Sequence, residues 1–316
     1  MKSLENQKIT TRLIARETGF SHSTVSRALA NTGKVHSETA AKIIDTARKL
    51  GYRFGRLNEQ RIIGLIIPPE NSNGYSNTIL LEVMRRLRQQ GYRLELVPHD
   101  DIKLLSERSI CGAIDISCES EIIDRWFDEY NIPLVRLNGI SCNTKNIYSV
   151  NSHGYTAMTI GVKYLLKKGA QKIFFLSEET RHKELELTSR RYPYFCRVMA
   201  EHGFADPDKL CCFDTVLPDF KKEMKQTAVG LLVTGEIYWL QVLNKLQTKG
   251  IRINEDLLFL PMEYPGLSDK ILPHQSTISQ NFPVLAEQAV TLLGNLLNES
   301  GPRGDISVPY FLINRK

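Results

Sequence analysis

The segment ARETGFSHSTVSRAL, residues 15–29, combines a dense row of hydrogen-bonding side chains with few core-forming residues. The row consists of Ser21, His22, Ser23, Thr24, Ser26 and Arg27. An arginine can donate two hydrogen bonds to guanine O6 and N7, and a histidine suits guanine N7. Small hydroxyls bond phosphate oxygens without reading sequence. The segment therefore predicts either a solvated surface helix or a surface that contacts something outside the protein.

The spacing of three neighbouring residues indicates how this row is positioned. Ala15, Gly19 and Val25 follow the spacing i, i+4, i+10. A helix–turn–helix needs a small residue where its helices cross, a turn residue that tolerates positive φ, and an apolar residue in the second helix. The spacing predicts this motif, with the polar row on the outward face of its second helix. An ordinary helix pair without a ligand is the alternative.

Capping residues predict where three short helices begin. Thr10 or Thr11 can cap RLIARETG, Ser21 can cap HSTVSRALA, and Ser37 can cap SETAAKIIDTARKLG. Gly19 can end the first helix in the left-handed conformation. Together these helices predict a small all-α domain over residues 1–50.

The positive charge of the chain is concentrated near its N-terminus. The whole chain has a net charge of +6, with 41 basic and 35 acidic residues. Residues 1–61 hold 12 of the basic and 5 of the acidic ones, a net charge of +7, so the remainder holds 29 and 30, a net charge of −1. This asymmetry predicts a polyanionic partner. A membrane surface would require an apolar face that these residues lack.

The rest of the chain predicts a different class of fold. After a basic connector over residues 51–61, apolar strands such as IIGLIIP alternate with amphipathic helices through residues 62–316. Strict β/α alternation indicates parallel sheets with right-handed crossovers. About nine strands are more than one open sheet with a single core accommodates, so two sheets are expected. Such α/β folds bind ligands at the carboxyl ends of their strands.

Several functional classes lack their sequence signals. The chain contains no GxSxG, P-loop, GxGxxG or HExxH motif, so we expect no enzyme. No cysteine pair has metal-ligand spacing, so neither a metal nor another cofactor is expected. No segment resembles a signal peptide or a membrane span, which predicts a cytoplasmic protein. The six cysteines are expected to be buried or idle thiols: Cys111, Cys118, Cys142, Cys196, Cys211 and Cys212.

Two motifs in the N-terminal domain fit a family pattern. TGFSHSTVSRAL follows A-G-[VF]-S-x-x-T-V-S-R-x-L except that Thr18 replaces the alanine, and VHSET follows V-S-x-E-T except that His36 replaces the serine. Through them the chain resembles the lactose-repressor (LacI/GalR) family of bacterial transcription regulators, and later segments follow the family order as far as YFLINR. The resemblance implies a two-lobed effector domain similar to periplasmic sugar-binding proteins. Its lobes would be about 62–168 with 281–300, and about 169–280 with 301–316.

The resemblance also implies roles for the polar row. The family's base-reading residues correspond to His22, Ser23 and Arg27, while its phosphate-bonding hydroxyls correspond to Ser21, Thr24 and Ser26. Lys34 completes the set predicted for the DNA-binding domain itself. Two such domains would read a near-palindromic operator as a homodimer, since two adjacent grooves require a two-fold protein.

The connector departs from the family pattern. Relatives insert a hinge helix whose leucine enters the minor groove, but here the pattern P-N-x-x-A-R-x-L is missing and Gly55 disfavours a helix. We expect no full hinge helix, with Arg53, Arg56 and Arg61 binding phosphates. Leu57 is either a remnant of the minor-groove wedge or a residue that packs under the effector domain.

Five positions correspond to effector contacts between the lobes of the family. They are Tyr75, Asn151, Arg190, Glu236 and Glu263. The arginine and the two glutamates suit bidentate hydrogen bonds to hydroxyls or a charged group. The resemblance implies a sugar or a sugar phosphate. Alternatively, the glutamates cap helices, the arginine pairs with one of them, and the tyrosine belongs to the core. The functions left open are an effector-controlled regulator, an effector-independent regulator, a solute-binding protein and a sugar-active enzyme.

Overall fold

The computed structural model describes residues 9–30, 35–52, 62–68, 74–101, 110–116, 121–139, 146–177, 191–213, 216–263 and 268–315. The chain forms two compact units. The first comprises Met1–Asn151 and Pro283–Ile306, and the second comprises Ser152–Phe282 and Ser307–Lys316.

Three helices open the first unit and form the predicted helix–turn–helix domain. They are α1 (Thr11–Thr18), α2 (His22–Leu29) and α3 (Ser37–Lys49). The Thr10 hydroxyl accepts a hydrogen bond from the Leu13 amide, and Gly19 ends α1 with φ 74°. The third cap differs from the prediction, because His36 rather than Ser37 occupies the N-cap position and makes no side-chain cap bond.

The core of this domain is small and entirely aliphatic at its centre. Ile14, Val25 and Ile43 are fully buried, and they pack with Ala47 and Tyr52. Val25 lies on the inner face of α2 and packs against the other two helices. The polar residues of α2 therefore face outward. The predicted arrangement of the polar row is therefore confirmed.

A six-stranded sheet forms the first lobe. Its strands are β1 (Ile62–Ile67), β2 (Arg93–Pro98), β3 (Gly112–Asp115), β4 (Leu134–Leu137), β5 (Ile147–His153) and β11 (Ile306–Pro309). Their order is β11-β5-β4-β3-β1-β2, and the pairs from β2 to β5 are parallel. The continuous apolar sequence of β1 is buried, as a strand covered on both faces requires. The helices described beside this sheet are α4 (Gly74–Gln89), α5 (Glu121–Glu129) and α11 (Phe282–Asn298).

A second six-stranded sheet forms the other unit. Its strands are β6 (Lys172–Ser177), β7 (Cys211–Phe213), β8 (Val229–Val233), β9 (Leu258–Glu263), β10 (Thr277–Ser279) and β12 (Phe311–Ile313). Their order is β12-β10-β9-β8-β6-β7, with only the β10–β12 pair antiparallel among those described. The helices are α6 (Gly154–Lys167), α7 (Arg191–Glu201), α8 (Phe220–Met224), α9 (Glu236–Thr248) and α10 (Ser268–Ile271).

The boundary between the lobes lies one helix earlier than predicted. Helix α6 packs on the second sheet so closely that a Cβ on Gly161 would lie 3.0 Å from the side chains of Ile278 and Leu232. The first lobe, expected to reach about residue 168, therefore ends at Asn151. Its returning segment is 283–306 instead of 281–300, and β11, which begins at Ile306, pairs with the first sheet.

Candidate nucleic-acid interface

The predicted reading row lies on the outer face of α2. Ser21, His22, Ser23, Ser26 and Arg27 are exposed, and Thr24 is half-buried. The Ser21 hydroxyl accepts the Thr24 amide at 3.1 Å, which caps α2 as predicted. The row therefore lies at the N-terminal end of α2. Unpaired N–H groups and the helix dipole favour an anion such as a phosphate at this end.

The hydroxyls of this row form one connected group. Ser21 Oγ lies 2.9 Å from Ser23 Oγ and 2.8 Å from Thr24 Oγ1. Hydroxyls can donate and accept, so this group can turn its protons toward phosphate oxygens. The geometry suits positioning on a DNA backbone.

Thr11 is a residue at this surface that the sequence assigned only to helix capping. Its Oγ1 lies 2.8 Å from Nε2 of His22, across the crossing of α1 and α2. This hydrogen bond engages one ring nitrogen of His22, so the other nitrogen, Nδ1, can hydrogen-bond a group outside the protein. No local pattern could reveal the pair, because its members are 11 positions apart and depend on how the helices cross.

Several other predicted DNA-binding residues lie outside the described residues. They are Lys34, Arg53, Arg56 and Leu57, together with Arg61. Their roles, and the predicted lack of a hinge helix, stay predictions.

Two of the predicted effector residues belong to the first unit, near the carboxyl ends of its strands. Tyr75 lies in the first turn of α4, and its hydroxyl accepts a 2.9 Å hydrogen bond from Nδ2 of Asn138, just after β4. Asn151 lies in β5 beyond the end of β4, and its Nδ2 donates to Ser149 Oγ at 3.0 Å. Among the described residues, the buried Oδ1 of Asn151 has no hydrogen-bond partner. An unpaired buried acceptor is costly and fits a ligand donor.

The remaining predicted effector positions belong to the second unit. Glu236 begins α9 three residues after the end of β8, and Glu263 ends β9, so the backbone places both at the carboxyl edge of paired parallel strands. Arg190 lies outside the described residues. Buried polar side chains that the sequence did not indicate share this edge, since Thr234 donates to Ser177 Oγ at 3.1 Å.

A buried ion pair stabilises the first sheet close to its candidate ligand positions. Arg136 of β4 is 1% exposed, and its Nε donates to Asp115 of β3 at 3.0 Å. Its other nitrogens donate to Asp124 of α5. Burial opposes the charge of Arg136, but the two carboxylates raise its pKa above the ordinary value. The guanidinium therefore stays charged inside the lobe.

Neither a metal centre nor a membrane span is found where the structure is described. In that part of the chain no three histidine, cysteine or acidic residues converge as a metal would require. None of its helices has the length and apolar character needed to cross a bilayer.

Comparisons with known proteins match both parts of the chain. Residues 12–53 match the profile of bacterial regulatory proteins of the lacI family, and residues 162–316 match the periplasmic binding protein-like domain. The ribose operon repressor of Bacillus subtilis (strain 168) is 23% identical over 326 residues, covering 96% of each chain.

Solved structures of similar fold cover nearly the whole chain. A transcriptional regulator CelR–cellobiose complex has a TM-score of 0.66 at 16% identity, covering 97% of this chain and 99% of the other. A lac repressor dimer bound to operator and the anti-inducer ONPF has a TM-score of 0.63 at 19% identity, covering 98% and 99%. The predicted two-lobed α/β fold with an N-terminal helix–turn–helix is confirmed.

Proposed function

Because the chain belongs to the LacI family of bacterial regulatory proteins, we propose that it represses transcription by binding an operator whose occupancy a small molecule controls. The observation that carries this proposal is the exposed polar row on the capped helix α2. A protein that reads chromosomal operators works in the cytoplasm.

Each residue of the row has a role that its chemistry supports. Arg27 donates two hydrogen bonds to a guanine, and His22 and Ser23 select the neighbouring bases. Ser21, Thr24 and Ser26 bond phosphates and fix the register. The net charge of +7 on residues 1–61 adds salt-sensitive attraction for any duplex.

The active form in this proposal is a homodimer. Three apolar side chains of the first unit face solvent among the described residues: Leu81 of α4 at 67% exposure, Ile122 of α5 at 66% and Leu96 of the edge strand β2 at 46%. Exposed apolar side chains, with Leu96 on an unpaired strand edge, suit contact with a second copy of the chain. The dimeric state of the operator-bound lac repressor supports the same assignment.

The controlling molecule in this proposal is a sugar or a sugar phosphate. The similar CelR structure is a complex with cellobiose, and the similar protein of Bacillus subtilis is a ribose operon repressor. The unpaired Oδ1 of Asn151 and the Tyr75–Asn138 pair supply polar groups for ligand hydroxyls.

Replacement of Arg27 by alanine tests the reading function. We expect the variant to lose its preference for operator over scrambled DNA, because a lost bidentate guanine contact costs about 1–3 kcal/mol. Weak salt-sensitive binding should remain. Mobility shifts with fragments from beside the gene, in low and high salt, provide the measurement.

Arg303→Ala is the matched control, since Arg303 is an exposed arginine of the first lobe, outside the helix–turn–helix domain. It removes the same charge and should keep the preference. Wild-type discrimination in Arg27→Ala would overturn the assignment of α2. Absence of DNA binding by the wild-type protein would instead favour the solute-binding alternative.

A further inference from the structure

The last turns of α3 pack against α5, so the helix–turn–helix domain contacts the first lobe directly. The guanidinium carbon of Arg48 lies 4.5 Å from the ring centroid of Trp126 and 5.5 Å from that of Tyr130. Arg48 is only 4% exposed and Trp126 only 9%. Arginines are rarely buried to this degree, and a guanidinium over aromatic faces is held more strongly when water is excluded.

A polar contact reinforces the stacked arginine. The Tyr130 hydroxyl donates to Oδ1 of Asp45, and Lys49 pairs with Oδ2 of the same carboxylate at 2.9 Å. Burial opposes the charge of Asp45, but the hydrogen bonds from Tyr130 and Lys49 hold its pKa below the ordinary value. Burial lowers the pKa of Arg48 to about 10, so both groups are charged at neutral pH. We call Asp45, Arg48, Trp126 and Tyr130 the clasp.

The lobe side of the clasp is firmly attached to the sheet. Asp124, two residues before Trp126 on α5, bonds the buried Arg136, which in turn bonds Asp115. Phe127 of the same helix is fully buried in the core of the lobe. Helix α5 is therefore a rigid support, and whatever docks on it takes a defined orientation relative to the first sheet.

The clasp leaves the reading surface open. With α3 docked on α5, the side chains of His22, Ser23 and Arg27 remain exposed. The contact therefore does not block DNA. It is suited to fixing the direction in which α2 faces.

We propose that the clasp positions the helix–turn–helix domain on its own lobe and thereby sets the half-site spacing that the dimer accepts. Arg48, Trp126 and Tyr130 are positioning residues that act through α2. The inference rests on the proposed operator binding by a dimer. Its physical reason is that each inserted base pair rotates one half-site by about 34° about the DNA axis. Two domains held by rigid lobes cannot follow this rotation, whereas released domains can.

The docking itself can be measured without DNA. The sequence contains two tryptophans, and Trp239 is fully buried in the second unit, so Trp239→Phe makes Trp126 the only tryptophan reporter. In this background Arg48→Ala should shift the Trp126 emission to the red and raise its quenching by acrylamide. Difference spectra of Arg48→Ala in the natural two-tryptophan chain provide the same readout should the background variant fold poorly.

Operator spacing measures the positioning role. Palindromic operators with one or two base pairs added or removed at the centre are compared by mobility shift. The wild-type protein should lose affinity on the order of tenfold per altered spacing, comparable to a mismatched base pair. Arg48→Ala and Tyr130→Phe should bind the altered spacings with nearly the same affinity as the original one.

Arg125→Ala is the control for both measurements. Arg125 lies on the same helix but faces solvent, with 80% of its side chain exposed and an ion pair to Glu121. It should reproduce the wild-type fluorescence and spacing preference. Unchanged Trp126 fluorescence in Arg48→Ala would overturn docking, and an unchanged spacing preference would overturn positioning. If no variant binds DNA, the proposed function fails, while the fluorescence still decides whether the domain docks.

Discussion

At the scale of single residues, the surface proposed to read DNA contains contacts that fix its polar side chains in the free protein. Ser21 caps α2 and contacts two neighbouring hydroxyls. The Thr11 hydroxyl holds the ring of His22 through Nε2. Groups ordered in advance lose less freedom on binding, so their hydrogen bonds contribute more to selectivity.

Thr11→Val tests the role of this hydroxyl, because valine keeps the side-chain shape. We expect selectivity at the base pair contacted by His22 to fall by about 2- to 10-fold, the effect of one hydrogen bond worth about 0.5–1.5 kcal/mol. Competition among operators with every single base-pair change provides the measurement. Thr11→Ser should retain the selectivity profile.

A threonine elsewhere on α1 provides the control for this prediction. The Thr18 hydroxyl bonds the Ile14 carbonyl at 2.7 Å within the same helix. Thr18→Val should leave base selectivity unchanged. A Thr11→Val protein with the wild-type profile would show that His22 is oriented by other contacts.

The cysteines of the second unit also depend on contacts between single residues. Cys196 and Cys211 approach to 3.8 Å between sulfurs, a proximity that their sequence positions do not indicate. The contact with Cys196 and burial raise the pKa of Cys211, and burial raises the pKa of Cys212 to about 11. Thiols that keep their protons at neutral pH are poor nucleophiles. This agrees with the expectation of idle thiols; Cys118 and Cys142 lie outside the described residues.

At the scale of elements, the short helix α5 makes two sets of contacts from different faces, one with the first sheet and one with α3. Its Asp124 contacts the buried Arg136, while Trp126 and the following Tyr130 contact α3. A change in the position of α5 would therefore reach both the carboxyl edge of the first sheet and the DNA-reading domain.

Arg136→Ala should destabilise this arrangement strongly. The variant leaves the fully buried Asp115 without its cation, and breaking a buried pair in this way costs about 3–5 kcal/mol. Urea unfolding followed by circular dichroism should show a transition at lower concentration. Because the chain has two units, the transition of the first unit is the one to compare.

Arg125→Ala is again the appropriate reference. It removes an exposed arginine from α5, and surface substitutions of this kind change stability by about 0.5 kcal/mol or less. Equal unfolding midpoints for the two variants would indicate that Asp115 and Asp124 find other partners or take up protons when Arg136 is absent.

At the scale of the whole molecule, local sequence patterns predicted where the helices and strands lie. The lobe boundary and the contact between α3 and α5 depend instead on tertiary packing. Ser21 and Gly19 predicted the helix ends because capping and positive φ are local properties. The lobe boundary was misplaced because α6 follows β5 directly, and only its packing on the second sheet assigns it. The Arg48–Trp126 contact joins α3 to α5. The sequence of either helix taken alone does not indicate that it contacts the other. No sequence period encodes such a pairing.

Control by a small molecule is a property of the whole molecule, and replacing Asn151, a residue with a buried polar atom, tests it. The Oδ1 of Asn151 is buried with no partner among the residues described, so the free protein already bears the cost of desolvating it. Asn151→Leu removes this acceptor and should leave the unfolding temperature of the free protein unchanged or higher. A ligand hydroxyl that donates to Oδ1 would lose its bond, which costs about 1–3 kcal/mol, roughly 5- to 150-fold in affinity.

Calorimetry with ribose, cellobiose and glucose 6-phosphate provides the measurement of this loss. Asn146→Ala, which removes an amide bonded to Asn131, is the control that should bind normally. A sugar that binds Asn151→Leu as tightly as the wild-type protein would exclude Asn151 from the effector site.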